Sequence, residues 1–284
     1  MDISILTAIQ NIITNPIDRL GEFYVARNRI NNMGGALEEY VKDIFASTIG
    51  EMDSHERIKQ FDKVFSYMGN QNNPPDLIIR GGDAVEVKKI ESIGADLALN
   101  SSYPKAKLFS NSPMITRACR TCEDWNEKDI LYVVGVVNKS VLKKLYMIFG
   151  IDYAANADVY ERIKNRLSKG INLIPDIEFT ETKELGRVNR ADPLGITYLR
   201  IRGMWGIENP AKVFSYIHQI NRNKSFELMA IINLDKYMSF SEKQRILFEK
   251  SANEILGFSI KDVLIKTPDN PANAKKAKLI TYIR

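Results

Sequence analysis

The stretch PPDLIIRGGDAVEVKKIES, residues 74–92, runs from two prolines through an aspartate, a short apolar run and a glycine pair to acids and lysines alternating with valines. Its halves DLIIR and AVEVKKI, separated by Gly81, Gly82 and Asp83, have the pattern of two adjacent strands joined by a tight turn, because glycine accepts the positive φ that hairpin turns require. Residues two apart in a strand share a face, so Val85 and Val87 point into the core while Glu86 and Lys88 point together the other way. Asp76, at the start of the neighbouring strand, then comes close to Glu86. Two carboxylates so placed repel each other unless a cation sits between them, and oxygen ligands of this kind suit magnesium, Mg2+, which binds through one or two carboxylates plus waters and phosphate oxygens. A lysine beside such an ion can orient or deprotonate an attacking water and steady the charge growing on a phosphate. The stretch therefore describes a candidate phosphodiester-cleaving site, with Asp76 and Glu86 as metal ligands and Lys88 beside them. Parity sends Lys89 to the opposite face. Asp83 lies in the turn and replaces a ligand only if that turn is longer than it reads.

Upstream, GGALEEYVKDIFAST places Leu37, Tyr40, Val41, Ile44 and Phe45 on one helical face, with Gly34 and Gly35 before it. This helix is expected to pack on the sheet. Glu38 lies beside the apolar stripe and Glu39 nearly opposite to it, so Glu38 can reach over the sheet edge toward the metal. The competing reading makes both glutamates solvated helix charges.

Downstream, DILYVVGVV at 129–137 reads as a strand covered on both faces, and LMAIINL at 228–234 as another. SVLKKLYMIFG at 140–150 and ADVYERIKNRLSKG at 157–170 read as helices, and ITYLRIRGMWG at 196–206 alternates like a strand. Tyr198, Met204 and Trp205 are expected in the core, and the C-terminal AKKAKLITYIR reads as a soluble basic edge. Strands mixed with helices on both sides give an α/β or α+β sandwich with a mixed central sheet.

The 284 residues are 44% hydrophobic and 26% charged, an ordinary globular balance that excludes wholesale disorder or a fibrous protein. One elaborated domain, 1–284, is the expectation. No apolar run approaches the roughly 20 residues needed to cross a bilayer, and the N-terminus lacks a basic region followed by a long apolar stretch, so no membrane association and a cytoplasmic location are expected. The net charge of +5 favours a polyanionic partner. Cys119 and Cys122, with only His55 and His218 elsewhere, cannot readily complete a structural zinc site and read as reduced thiols on a helix.

Asp76 followed by Glu86-Val87-Lys88, with a proline before the aspartate, resembles the PD-(D/E)xK nuclease signature. The likeness extends further: GGALEEYVKDIF, KVFSYMGNQNNPPDLIIRGGDAVEVKKIES, LALNSSYPKAKL, ELGRVNRADPLGITYLRIRGMWGIENP and LMAII make the chain resemble the NgoPII family of type II restriction endonucleases from about residue 24 to residue 237. The resemblance implies a restriction-endonuclease-like core over about 30–140 and recognition elements at about 95–125 and 180–210. It also implies Mg2+-dependent cleavage of double-stranded DNA at the palindrome GGCC. A cognate DNA methyltransferase would act on the same site without necessarily binding this protein.

A palindrome is most simply read by a two-fold symmetric homodimer. Guanine O6 and N7 suit arginine forks, so Arg187, Asn189, Arg190, Arg200 and Arg202 become the leading recognition candidates, some of which serve phosphate instead. Asn100, Ser101, Ser102, Lys105 and Lys107 suit phosphates beside the scissile bond or minor-groove edges, against the plainer reading of a helix cap and a solvated face. Two other functions compete: a structure-specific repair or recombination nuclease on the same core, and a non-catalytic DNA-binding protein whose acids are structural.

Overall fold

The structure is a computed structural model that describes residues 3–25, 33–69, 73–180, 182 and 184–284. The chain begins with α1 (Ile5–Thr14), a π-helical turn (Gly21–Val25), α2 (Met33–Ala46) and α3 (Ser54–Val64). Then come β1 (Phe65–Met68), β2 (Leu77–Ile79), β3 (Ala84–Ile90), β4 (Leu97–Asn100), β5 (Lys107–Phe109), α4 (Arg117–Arg120), β6 (Glu127–Asn138) and β7 (Val141–Phe149). The middle of the chain forms α5 (Gly150–Tyr153), α6 (Ala157–Ile171), β8 (Phe179–Thr180), β9 (Gly186–Val188), β10 (Leu199–Ile201), β11 (Trp205–Ile207) and α7 (Pro210–Val213). The last part forms β12 (Glu227–Asn233), α8 (Leu234–Ser239), α9 (Glu242–Glu254), β13 (Phe258–Lys266) and β14 (Ala274–Ile283).

The expected hairpin is present. β2 and β3 pair antiparallel with Leu77 opposite Val85 and Ile78 opposite Ala84, and Gly81 turns the chain with φ at +66°. The main sheet runs β1-β2-β3-β6-β7-β12-β14-β13, with β5 beside β6. Its β3–β6 and β7–β12 pairs are parallel and the rest antiparallel, so the sheet is mixed as expected. Small sheets, β10-β9-β8 and β11-β4, lie outside it.

Two apolar layers sandwich the sheet. On one side Val85, Val87, Leu131 and Val133 pack against the stripe of α2, formed by Leu37, Tyr40, Val41, Ile44 and Phe45, and against α1. On the other side Ala84, Ile90, Tyr132 and Val134 meet Leu97 and Leu99 of β4, Cys119 of α4 and Phe214. Helix α2 begins at Met33, so Gly34 and Gly35 lie within its first turn. It sits tight on the sheet: a Cβ at Gly135 of β6 would lie 2.6 Å from a Leu37 methyl, so a larger residue there would require Leu37 to shift.

Three sequence expectations are corrected. SVLKKLYMIFG is not a helix but β7. Leu142, Leu145, Tyr146 and Phe149 fall at helical spacing, but every residue from Lys144 to Phe149 is buried, and a strand covered on both faces carries no period that separates it from a helix. AKKAKLITYIR is not a soluble edge but β14, an interior strand paired with β12 and β13. ITYLRIRGMWG is broken in two: β10 pairs with β9, and after Arg202 the chain crosses to pair β11 with β4.

Candidate active site

The β2–β3 hairpin brings the sequence-predicted acids together. Asp76 immediately precedes β2, and its Oδ2 accepts the backbone N–H of Val87 at 2.6 Å, which fixes the carboxylate against β3. Glu86 is 8% exposed and Lys88 half-buried, and Lys88 Nζ lies 2.5 Å from Glu86 Oε1. The other oxygen of Glu86, Oε2, is buried with no hydrogen-bond partner. Lys89 points elsewhere and pairs with Glu91 at 3.1 Å.

Asp76, Glu86 and Lys88 line a cleft of about 550 Å³ together with Asn73, Leu99, Asn100, Ser101, Ser102, Met114, Glu184, Arg202 and Met204. Burial pushes the Asp76 carboxyl well above the usual carboxylate range, the Glu86 charge pushes it further, and Lys88 and the Val87 N–H only partly offset them. Burial alone would lower Lys88, but the Glu86 carboxylate outweighs it and holds Lys88 above the ordinary lysine value. In this arrangement Lys88 is held as an ammonium paired with Glu86.

Glu38 is half-buried on α2, and burial raises its carboxyl while Lys42 and Lys88 pull it down and Glu86 adds to the rise. It is therefore in electrostatic range of the cleft residues, although it does not line the cleft. Glu39 is not a free helix charge. It clamps Lys42 and Arg57 at 2.6 Å each, and Arg57 also binds the buried Asp43 at 2.7 Å, which locks α3 to α2.

A divalent cation fits the cleft. A carboxylate oxygen without a donor inside a protein is costly, and Oε2 of Glu86 is such an oxygen beside Asp76, whose carboxyl is raised by burial and then by the Glu86 charge. Among the described residues no group of three or more His, Cys, Asp and Glu gathers. Two carboxylates with the remaining positions left to water and phosphate is the hard-oxygen pattern of magnesium. Asp83 takes no part: it sits in the turn, as its sequence position implied, and binds Lys236 at 2.5 Å.

Asn100, Ser101 and Ser102 line the cleft, and Asn100 ends β4 in a left-handed conformation with φ at 53°. Lys105 stands behind them. Its backbone N–H donates to the Tyr132 hydroxyl at 2.8 Å, its Nζ donates to Ser102 Oγ at 2.5 Å, and Tyr132 is the β6 residue in register with Glu86. Desolvation lowers Lys105 to about 8, against a rise from Glu86. Lys107 is not brought to the cleft; it pairs with Glu127 at 2.6 Å on the β5–β6 edge.

The candidate recognition residues gather on the β8–β9–β10 arm. Arg187 and Arg200 face each other in register, and the Arg187 guanidinium stacks 4.0 Å over the Tyr198 ring. Asn189 bonds Thr180, and Arg190 is exposed with φ at 47°. Arg202 alone of the five lines the cleft, and it shares Glu184 with Arg200. Tyr198 and Met204, expected in the core, are 56% and 78% exposed on this arm, whereas Trp205 packs edge-on against Tyr103 and Tyr160. Glu184 went unnoticed in the sequence, although an acid directly before LGRVNR is a visible signal.

The model of the NgoPII restriction endonuclease family matches residues 3–266. The chain is 53% identical over 280 residues to the type II restriction enzyme NgoPII of Neisseria gonorrhoeae, a match covering 98% of this chain and 99% of that protein. The chain belongs to the NgoPII restriction endonuclease family. It is therefore a type II restriction endonuclease, a site-specific deoxyribonuclease acting on double-stranded DNA, and such enzymes use a divalent metal ion. Membership in the NgoPII family sets aside both competing functions, the repair nuclease and the non-catalytic binder. No solved structure matches the chain. Among the described residues no helix is long and apolar enough to cross a membrane.

Proposed function

We propose that this NgoPII-family endonuclease cleaves duplex DNA at the palindrome GGCC with Mg2+ held by Asp76 and Glu86. The observation that carries this reading is the unpaired Oε2 of Glu86, a buried anionic oxygen beside a second carboxyl in a cleft open to a phosphate. The chemistry a bound Mg2+ supplies is Lewis-acid polarisation of the scissile phosphate. Lys88, kept cationic by Glu86, steadies charge on the phosphate and orients the attacking water. Glu38 assists from α2 through its field on Lys88 and Glu86. Asn100, Ser101 and Ser102 donate to phosphate oxygens at the cleft mouth, and Lys105 backs them with positive charge. On the arm, Arg187, Asn189, Arg190, Arg200 and Arg202 meet the DNA, with the arginine forks suited to guanine O6 and N7.

Two copies acting as a homodimer would present the cleft to both strands of the palindrome, and exposed Ile163, Leu167, Leu194 and Ile196 leave apolar surface for such an association. The single chain 1–284 acts as one domain in the cytoplasm, where a cognate methyltransferase protects the host's own GGCC sites.

Calorimetric titration of the DNA-free protein with Mg2+, alongside Glu86→Ala, tests the metal reading. Binding that the variant loses supports it, and equal binding by both proteins removes Glu86 from the site. Binding of a duplex bearing one GGCC against the same duplex scrambled tests the specificity, and equal affinity for both contradicts it.

A further inference from the structure

Glu184 joins two parts of the molecule. Its carboxylate accepts from Arg200 Nη2 at 2.8 Å and Nε at 3.2 Å, a fork, and forms an ion pair with Arg202 Nε at 2.6 Å. The side chain is only 15% exposed while those of Arg200 and Arg202 are 52% and 56% exposed, so a sheltered acid holds two guanidiniums that face outward. Glu184 is fixed from its own side: its N–H donates to Thr182 Oγ1 at 3.1 Å, and the next residue, Leu185, bonds Ile201 across the arm. It also lines the cleft that contains Asp76, Glu86 and Lys88.

An acid is an odd choice for a surface that meets polyanionic DNA, since it cancels part of the attraction. Its position explains what it does there. While Glu184 pairs with both arginines, one negative charge offsets half of their positive charge toward phosphates of any sequence. Phosphate is itself an anionic, bidentate acceptor, so what Glu184 lowers is the sequence-independent attraction, while the guanidiniums it holds in place keep their remaining N–H groups set for a base edge that offers two acceptors.

We propose that Glu184 is a specificity-determining positioning residue: it holds Arg200 and Arg202 in place in the free protein and offsets their charge toward phosphate of any sequence, so that tight binding requires a correctly placed base edge and not the backbone alone. This rests on the reading of Arg200 and Arg202 as DNA contacts.

The test compares wild type, Glu184→Gln, Glu184→Asp, Arg200→Ala and Arg202→Ala for binding and single-turnover cleavage on a GGCC duplex and its scrambled counterpart, across a salt series. Glu184→Gln is expected to bind the scrambled duplex more tightly, with a salt slope steeper by about one phosphate contact per arginine freed. Its cognate-to-scrambled discrimination is expected to fall about tenfold, in the range of ordinary coupling between sites. Glu184→Asp, which keeps the charge, is expected to restore much of the discrimination, which a purely structural role would not. Unchanged discrimination in Glu184→Gln, or equal weakening on both duplexes without rescue by Glu184→Asp, overturns the proposal. If Arg200→Ala and Arg202→Ala bind both duplexes as wild type does, the reading of these arginines as DNA contacts fails instead, and the proposal falls with it.

Discussion

Lys88 Nζ lies 2.5 Å from Glu86 Oε1, two residues along the same face of β3, and the second oxygen of that carboxylate is buried with no donor. The carboxylate is thus paired through one oxygen and bare at the other. Lys88→Ala and Glu86→Ala are expected to lower single-turnover cleavage on the order of 10²–10⁴-fold, the range for losing one positioned group in proton transfer or charge stabilisation. Affinity for the cognate duplex without metal should stay near wild type. Gel-shift and cleavage measured on the same preparations check both; a variant that binds normally and cleaves normally removes its residue from the site.

Asp76 gives a pH dependence whose sign follows from burial. Its folded-state carboxyl is raised above the unfolded value of about 3.9, so between that value and the raised one the native protein binds more protons than the unfolded chain. Stability from this group is complete below about 3.9 and is lost as pH rises through the folded value. Metal-free Asp76→Asn is therefore expected to melt higher than wild type at pH 8, with the difference shrinking toward pH 5. A divalent ion should stabilise wild type and not the variant. Calorimetric scans at the two pH values check this, and a variant that melts lower at pH 8 contradicts it.

Lys105 is lowered to about 8 by desolvation, so in the DNA-free protein it passes from cation to neutral amine across the mildly alkaline range. Metal-free binding of a cognate duplex is expected to weaken between pH 7 and pH 9. Lys105→Met should bind more weakly at pH 7, with a salt slope smaller by about one contact and less change with pH. Fluorescence anisotropy in a salt and pH matrix measures both.

Helix α2 is anchored through Asp43, which is 2% exposed and accepts from Tyr24, Thr48 and Arg57. Arg57→Ala leaves this carboxylate buried with its cation gone, and is expected to cost about 3 kcal/mol in urea unfolding, the lower end for breaking a buried pair because Arg57 keeps some solvent. Arg57→Lys restores only part of it, since one ammonium cannot fork to both Glu39 and Asp43.

The hairpin that carries the candidate site was legible because two short-range rules sufficed. Strand parity put Glu86 with Lys88, and a glycine turn put Asp76 across from them. The stripe of α2 was legible for a similar reason, as one buried face leaves a clear period. Strand β7 was not, because burial on both faces erases the period, and Lys144 inside it answers to Glu227, a partner 83 residues away. Strand β14 failed in another way: its lysines read as a surface run, yet Leu279 and Ile280 fill the sheet interior. The arm residues read as neighbours in the sequence and lie together in the fold, but the contacts of Glu184 with Arg200 and Arg202 were not legible, because they exist only once β9 and β10 pair.

The most direct measurement is to incubate the purified protein and its Asp76→Asn variant with a plasmid of known sequence, with and without Mg2+, and to sequence the fragment ends. The expected result is a set of discrete fragments from the wild type, dependent on Mg2+, with every end inside GGCC, and none from the variant. Ends at another sequence, or the same fragments from Asp76→Asn, would contradict the assignment of the site and its target.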